Sequence, residues 1–312
     1  MQPYTETLFI TSSTRVKAVD FHPDQKLIFA TLHTGELQVW NYESQKLVKE
    51  VKICDEPTRA VKFIARMNWI VTGSDDTKIR VYDATTFDLV YEFEAHSDYI
   101  RSLVVHPTLP YVISTSDDMF MHVWDWENEW RIEQTFFGHQ HYVMNVAINP
   151  KDPDMFATAS LDQTVKLWRI GEQDSFATLE GHTVGVNCVK FYGDEFLISG
   201  SDDKAVKIWN WKTGIEDTTA FEHKNNITAV NVTSSHFITA SEDSTALVWT
   251  VEPPSFNPFS RWQSPIGDIK VVKMLNYEMG RVWCIEVKKE TDGSETVVLG
   301  TDNGAVVLKI ES

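Results

Sequence analysis

The chain has 312 residues, of which 42% are hydrophobic and 23% charged, and its net charge is −17 with histidine neutral. This composition excludes a disordered chain and leaves ample apolar material for a core. So acidic a balance argues against a nucleic-acid backbone reader, which carries a basic domain. In chain order, the first predicted strand is Thr7-Leu8-Phe9-Ile10. Six units of short strands follow, and they end on LQVW at Trp40, IRVY at Tyr82, MHVW at Trp124, VKLW at Trp168, VKIW at Trp209 and ALVW at Trp249. Six residues before these ends stand Thr34, Asp76, Asp118, Asp162, Asp203 and Asp243, preceded by small and hydroxyl residues as in TGSDD and TASLD. Ala95-His96, Gly138-His139, Gly181-His182 and Glu222-His223 close four of the units. The stretch 252–265 holds four prolines and predicts an inter-blade surface loop, with Phe256, Phe259 and Trp262 packing down on the disc. VWCIEV (282–287), TVVLG (296–300) and AVVLKI (305–310) make a degenerate last unit, with Lys309 where tryptophan would stand.

The spacing of 40 to 44 residues between these ends, and the order of residues within each unit, resemble the WD-repeat signature. One four-stranded unit cannot bury both faces alone, so the units stack as blades around a channel. The predicted fold is all-β, a seven-bladed WD-repeat β-propeller closed by the N-terminal strand pairing with the last blade. One domain spans 1–312, with blades near 14–53, 57–95, 98–138, 141–181, 184–222, 226–251 and 269–310 plus 6–10. Asp76, Asp118, Asp162, Asp203 and Asp243 are read as turn residues hydrogen-bonded to His96, His139, His182 and His223. Trp124, Trp168 and Trp209 extend the same structural network. Because these aspartates recur once per blade, they do not form an acid/base dyad. No nucleophile elbow, metalloprotease helix, phosphate loop or zinc spacing is present, so neither an enzyme nor a metal or cofactor is predicted. There is also no run of 18 apolar residues and no secretory leader pattern. The three cysteines, Cys54, Cys188 and Cys284, are odd in number and far apart, which predicts reduced thiols and a cytoplasmic location.

The first strands carry the candidate chemistry. Lys17, Arg59 and Arg101 occupy one register in three successive blades, with Arg15 nearby, whereas blade four has Met144 there. Such converging cations suit a carboxylate or phosphate. The residue before the repeat aspartate, expected on the same face, is His33, Asp75, Asp117, Leu161, Asp202 and Glu242 in blades one to six. Asp98 and Asp117 are expected to form an acidic pocket beside the basic one, walled by Tyr99 and Tyr142. A basic half and an acidic half fit a peptide C-terminus with a nearby lysine. The carboxylate would meet Lys17 and Arg59, and the ammonium Asp98 and Asp117.

RVKAVDFHP (15–23), VKFIARMNWIVTGSDD (61–76), FEAHSDYIRSLVVHPTLPYVISTSDD (93–118), WDWENEWRIEQTFFGHQHYVMNVAINPKDP (124–153) and SLDQTVKLW (160–168) resemble the N-terminal propellers of the coatomer beta-prime family, part of the COPI vesicle coat. The likeness covers about residues 7–310, and the related alpha family fits less well around FIARMNWIVTGSDD and WENEW. The resemblance implies recognition of C-terminal dilysine signals, K-K-x-x or K-x-K-x-x, on membrane cargo for retrograde Golgi-to-ER transport. Arg15, Lys17 and Arg59 would hold the terminal carboxylate, and Asp98 and Asp117 the lysine third from the end. Arg101 matches the family without an assigned contact. Asn145, Asp202 and Glu242 would be outer contacts for a second lysine. His33 stands where the family pattern has tyrosine, and Tyr142 where it has phenylalanine. The family further implies a second propeller and a helical solenoid that join the alpha and epsilon subunits, with peripheral attachment to Golgi membranes and coated vesicles through the coat alone. An architectural propeller that only docks other coat subunits, or the equivalent propeller of the alpha subunit, is the alternative.

Overall fold

A computed structural model describes residues 4–11, 14–252 and 266–310. Among these, 28 strands form seven four-stranded antiparallel sheets around one axis. The ring closes as expected. Tyr4–Thr11 pairs antiparallel with Gly304–Ile310, from Tyr4 opposite Ile310 to Thr11 opposite Gly304. The last blade therefore combines both ends of the chain, which leaves no unpaired seam in the ring.

Each blade's first strand lies innermost, and the seven first strands together line one cavity at the ring centre. The second and third strands carry the packing between blades. Trp168, Trp209 and Trp249 are each 1% exposed, and Phe29, Phe156 and Phe237 are fully buried. The fourth strands form the rim and are largely exposed, as in Lys46–Lys52 and Leu89–Glu94.

The turn between second and third strands explains the repeat. In blades three to six the aspartate is bridged to a histidine: His96 Nδ1 to Asp118 at 2.8 Å, His139 to Asp162 at 2.7 Å, His182 to Asp203 at 2.8 Å and His223 to Asp243 at 3.0 Å. The other ring nitrogen meets Ser114, Thr158, Ser199 or Thr239, whose hydroxyl also receives the indole N–H of Trp124, Trp168, Trp209 or Trp249. The residue after each aspartate is left-handed, with φ between 69° and 76° at Thr77, Met119, Gln163, Lys204 and Ser244. The carboxylate braces that turn by accepting the next backbone N–H, as Asp118 does from Phe120 at 3.0 Å.

Two expectations are corrected. Asp76 has no histidine partner among the described residues. Its carboxylate receives both ends of the Arg80 guanidinium, at 3.1 and 2.6 Å, so an ion pair replaces the network in blade two. Blade six also extends past 251. Asp268–Leu275, expected in blade seven, pairs with Ala246–Glu252 as the fourth strand of blade six. The third strand of every blade needs a partner on its outer edge, and the N-terminal strand already serves blade seven. The proline-rich loop expected at 252–265, with Phe256, Phe259 and Trp262, lies outside the described residues beyond 252.

A candidate anion-binding site at the channel mouth

In all seven blades the first strand is bulged near its start. The pairing skips one residue, and the skipped residues are Lys17, Arg59, Arg101, Met144, Asn187, Thr228 and Trp283. A bulge leaves one residue out of the ladder and re-aims its side chain. Here it turns seven side chains towards a central cavity of about 310 Å³. The register that aligns Lys17, Arg59 and Arg101 in the sequence is this ring of bulges.

Each bulge residue has a counterpart in its own blade's turn. The counterparts are His33, Asp75, Asp117, Leu161, Asp202, Glu242 and Asp302, and the backbone N–H of each donates to the carbonyl two residues before the bulge. In blade two Arg59 grips Asp75 with Nε at 2.5 Å and Nη2 at 2.6 Å. In blade three Arg101 grips Asp117 in the same two-pronged way, with Nε at 2.6 Å. Asn187 donates to Asp202 at 2.6 Å and Trp283 to Asp302 at 2.8 Å. In blade one the counterpart of the bulge cation Lys17 is His33, which brings no negative charge.

Lys17 consequently makes no ion pair or hydrogen bond among the described residues. Its Nζ sits 3.9 Å from the centroid of the Trp283 ring, which also carries Arg15 at 4.7 Å and Arg281 at 4.8 Å. Burial, and then the guanidiniums of Arg59, Arg15 and Arg101, push the Lys17 ammonium down to about 7. Burial and the charges of Arg15, Lys17 and Arg59 likewise lower His33. Asp302 is the acid that organises this side. Burial raises its carboxyl, but hydrogen bonds from Trp283, Arg281 and Arg15 outweigh that and hold it at about 2.

The acidic half differs from expectation. Asp117 is 4% exposed and both its oxygens are occupied by Arg101, so it is not a free acid awaiting a ligand. Asp98 is half-buried at the mouth. Its Oδ1 accepts the Tyr99 N–H at 2.8 Å, and Ser116 anchors its backbone carbonyl at 3.1 Å. Tyr99 stands exposed between two guanidiniums, with Arg59 and Arg101 each 5.8 Å from its ring centroid. Tyr142 lies beyond it, 6.0 Å from Arg101. Asn145 does not reach outward. It bonds Ser102 at 3.2 Å and the Val189 N–H at 3.1 Å, so it ties three blades together. Asp202 is held by Asn187. Sequence reading did not place Trp283 and Asp302 in the site and listed Asp75 without its partner Arg59, although each falls on the same two register positions.

Three residues further along the first strands, Lys62 bridges Asp20 at 3.0 Å and Glu286 at 2.6 Å, with Asn231 on Glu286 at 3.0 Å and Lys190 beside them. Elsewhere His96, Asp118 and His122 cluster within metal-ligand range. Both nitrogens of His96 are engaged in the turn network, however, and the two imidazoles stack with centroids 4.5 Å apart and planes 27° from parallel. Their in-plane lone pairs therefore point side by side rather than at one ion.

The WD domain, G-beta repeat family model matches residues 48–83, 87–125, 130–169, 173–210 and 216–250. The chain belongs to the WD40 repeat family. Each matched unit begins near the outer strand of one blade and ends with the third strand of the next, so the WD40 sequence repeat is staggered against the WD40 blade. The chain is 44% identical to coatomer subunit beta' of Rattus norvegicus over 303 residues, which cover 96% of this chain and 32% of that protein. Against coatomer subunit beta' of Homo sapiens it is 44% identical over 301 residues, again 96% and 32%. Against the probable coatomer subunit beta' of Caenorhabditis elegans it is 48% identical over 308 residues, 96% and 29%. The chain thus spans about a third of the length of these relatives, and the resemblance read from the sequence holds.

Proposed function

We propose that this propeller is the cargo-reading module of a COPI-type vesicle coat. It binds C-terminal dilysine signals, K-K-x-x or K-x-K-x-x, of membrane proteins bound for retrograde Golgi-to-ER transport. The observation that carries this reading is Lys17, the one bulge cation with no acid opposite it. A peptide carboxylate arriving there supplies the charge that Asp75 and Asp117 supply to their arginines in blades two and three. Asp75 uses only Nε and Nη2 of Arg59, and Asp302 only Nε of Arg15. The N–H groups of both arginines that have no partner among the described residues are available to the same carboxylate. Charge-assisted bonds of this kind are about twice as strong as neutral ones.

The lysine third from the end goes to Asp98, whose Oδ2 has no partner among the described residues, with Tyr99 as the wall between the two charges. Asp117 acts indirectly, by holding Arg101 in place. In this reading the propeller is a binding platform and not an enzyme. The whole coat subunit works in the cytoplasm and attaches to Golgi membranes and vesicles through its partners, the alpha and epsilon subunits among them. Calorimetric titration with a peptide ending K-x-K-x-x, beside its C-terminally amidated twin, tests the reading. Binding of the free acid with loss for the amide supports it. Equal binding of both removes Lys17 from the site, and binding of neither leaves the propeller as an architectural part of the coat.

A further inference from the structure

We infer that Lys17 is a site of reversible carbamate formation with carbon dioxide. Its Nζ is the bulge amine without an acid partner, stacked on Trp283, open to the central cavity and surrounded by the guanidiniums of Arg15, Arg59 and Arg101. In the reaction the amine lone pair attacks the carbon of CO₂. An N–C bond forms, one C=O π pair moves onto oxygen, and one proton leaves the nitrogen for solvent. The cation-prone amine becomes an N-carboxylate of charge −1.

Two features are required, and this site has both. The reactant must be the uncharged amine, which is scarce for a lysine in water. Here burial and the neighbouring positive charges bring the ammonium down to about 7, so the amine is well populated at neutral pH. The product must be matched by cations, and the guanidiniums that disfavour the ammonium are the natural partners of a carboxylate. The reaction replaces the ammonium by an anion beside three guanidiniums, each of which keeps N–H groups that its own carboxylate, Asp302, Asp75 or Asp117, does not use. The charged groups nearest Nζ are Arg15, Arg59 and Arg101, with the thiol of Cys284 and the exposed imidazole of His33 nearby; the carboxylates of this side are engaged elsewhere, Asp302 by Arg15, Arg281 and Trp283 and Asp75 by Arg59. The other buried amines of the channel do not qualify. Lys62 is held charged by Asp20 and Glu286, and Lys190 faces Glu286, which opposes a carbamate.

The carbamate oxygens occupy the place assigned above to the peptide carboxylate, so CO₂ and cargo compete. That consequence rests on the proposed function, whereas the adduct itself does not. The test equilibrates the chain with ¹³C-labelled bicarbonate, alkylates trapped carbamates with triethyloxonium, and maps ethyl carbamate by peptide mass analysis. The expected result is a label on Lys17 that grows as pH rises through 7 and is absent from the exposed Lys46 and Lys49. Lys17→Arg keeps the charge and removes that label. An unlabelled Lys17, or equal labelling of the surface lysines, overturns the inference. A repeat with the free-acid peptide separates the two readings. A label that forms and is blocked by peptide supports both. A label indifferent to a saturating peptide leaves the carbamate standing and overturns the carboxylate assignment, and a bound peptide with no label in its absence overturns only the carbamate.

Discussion

Lys17 and His33 occupy in blade one the two positions where Arg59 and Asp75 form a two-pronged ion pair in blade two. The backbone is the same in both blades. The His33 N–H donates to the Arg15 carbonyl at 2.9 Å, and the Asp75 N–H to the Pro57 carbonyl at 2.9 Å. One exchange of side chain therefore turns a self-satisfied couple into an unfilled cation site.

His33→Asp restores the missing acid. Lys17 then gains an internal partner, and the site loses its need for an external carboxylate. The expected outcome is a loss of K-x-K-x-x affinity of at least tenfold, with a gain in folding stability of about 1 kcal/mol for a partly buried pair. Titration calorimetry and denaturant unfolding read the two effects. Undiminished peptide binding would show that the carboxylate goes elsewhere.

The three bulge cations differ in what they do for the fold. Arg59→Ala and Arg101→Ala leave Asp75 and Asp117 buried at 6% and 4% exposure without a counter-charge. Each is expected to cost about 3 kcal/mol of stability or more. Lys17→Met removes an amine that the folded state disfavours. The depressed pKa of Lys17 is a penalty, fully present below pH 7 and fading as pH rises towards the ordinary lysine value. The substitution should therefore stabilise the chain at pH 7, on the order of 1–2 kcal/mol after allowance for solvent screening. Its peptide affinity should fall by about 1–3 kcal/mol, the scale of a hydrogen bond to a charged group and its desolvation. Chemical denaturation of the three variants side by side decides the matter, and equal stability losses would remove the distinction between paired and unpaired cations.

Asp98 and Asp117 are expected to separate in the same manner. Asp98→Asn leaves the turn intact, because the amide oxygen still accepts the Tyr99 N–H, and should weaken only peptides that carry the lysine. Asp117→Asn releases Arg101 and lowers stability whether or not a ligand is present. Binding measured with lysine-containing and alanine-substituted peptides distinguishes a direct contact from a positioning effect.

The histidine–aspartate turns make the propeller acid-labile in two steps. His139 and His223 are lowered, by burial against the opposing pull of their aspartates. The stability tied to their neutral form is complete above the ordinary histidine value near 6.5 and declines as pH falls below it. Asp118 and Asp203 are raised by burial and lowered more strongly by their histidine and backbone hydrogen bonds, to about 2. Their contribution is complete above about pH 4 and is lost as pH falls towards 2. Melting temperature against pH should therefore fall first below 6.5 and again below about 4. A flat profile between pH 7 and 5 would contradict the burial of neutral histidines.

The ring is legible in the repeat alone. Tryptophans and aspartates at a fixed spacing leave little freedom when each four-stranded unit must bury both faces against its neighbours, and the N-terminal strand is the natural partner for an incomplete last blade. The sequence also placed Lys17, Arg59 and Arg101 in one register, because strand periodicity is local. The partners of those cations lie across a turn in the same blade, and only the folded backbone brings them within reach. The bulge that turns each first-strand residue out of the ladder has no glycine or proline to announce it at Lys17, Arg59 or Arg101. The pairing of Asp117 with Arg101, and the meeting of Lys17, Arg15 and Arg281 on Trp283 from opposite ends of the chain, were likewise decided by tertiary structure. In blade six the fourth strand lies beyond a proline-rich stretch, so local signals ended the blade at 251, whereas the unpaired edge of its third strand recruited Asp268–Leu275. Local chemistry fixes which residues recur; which charge is left without a partner depends on distances that exist only once the ring has closed.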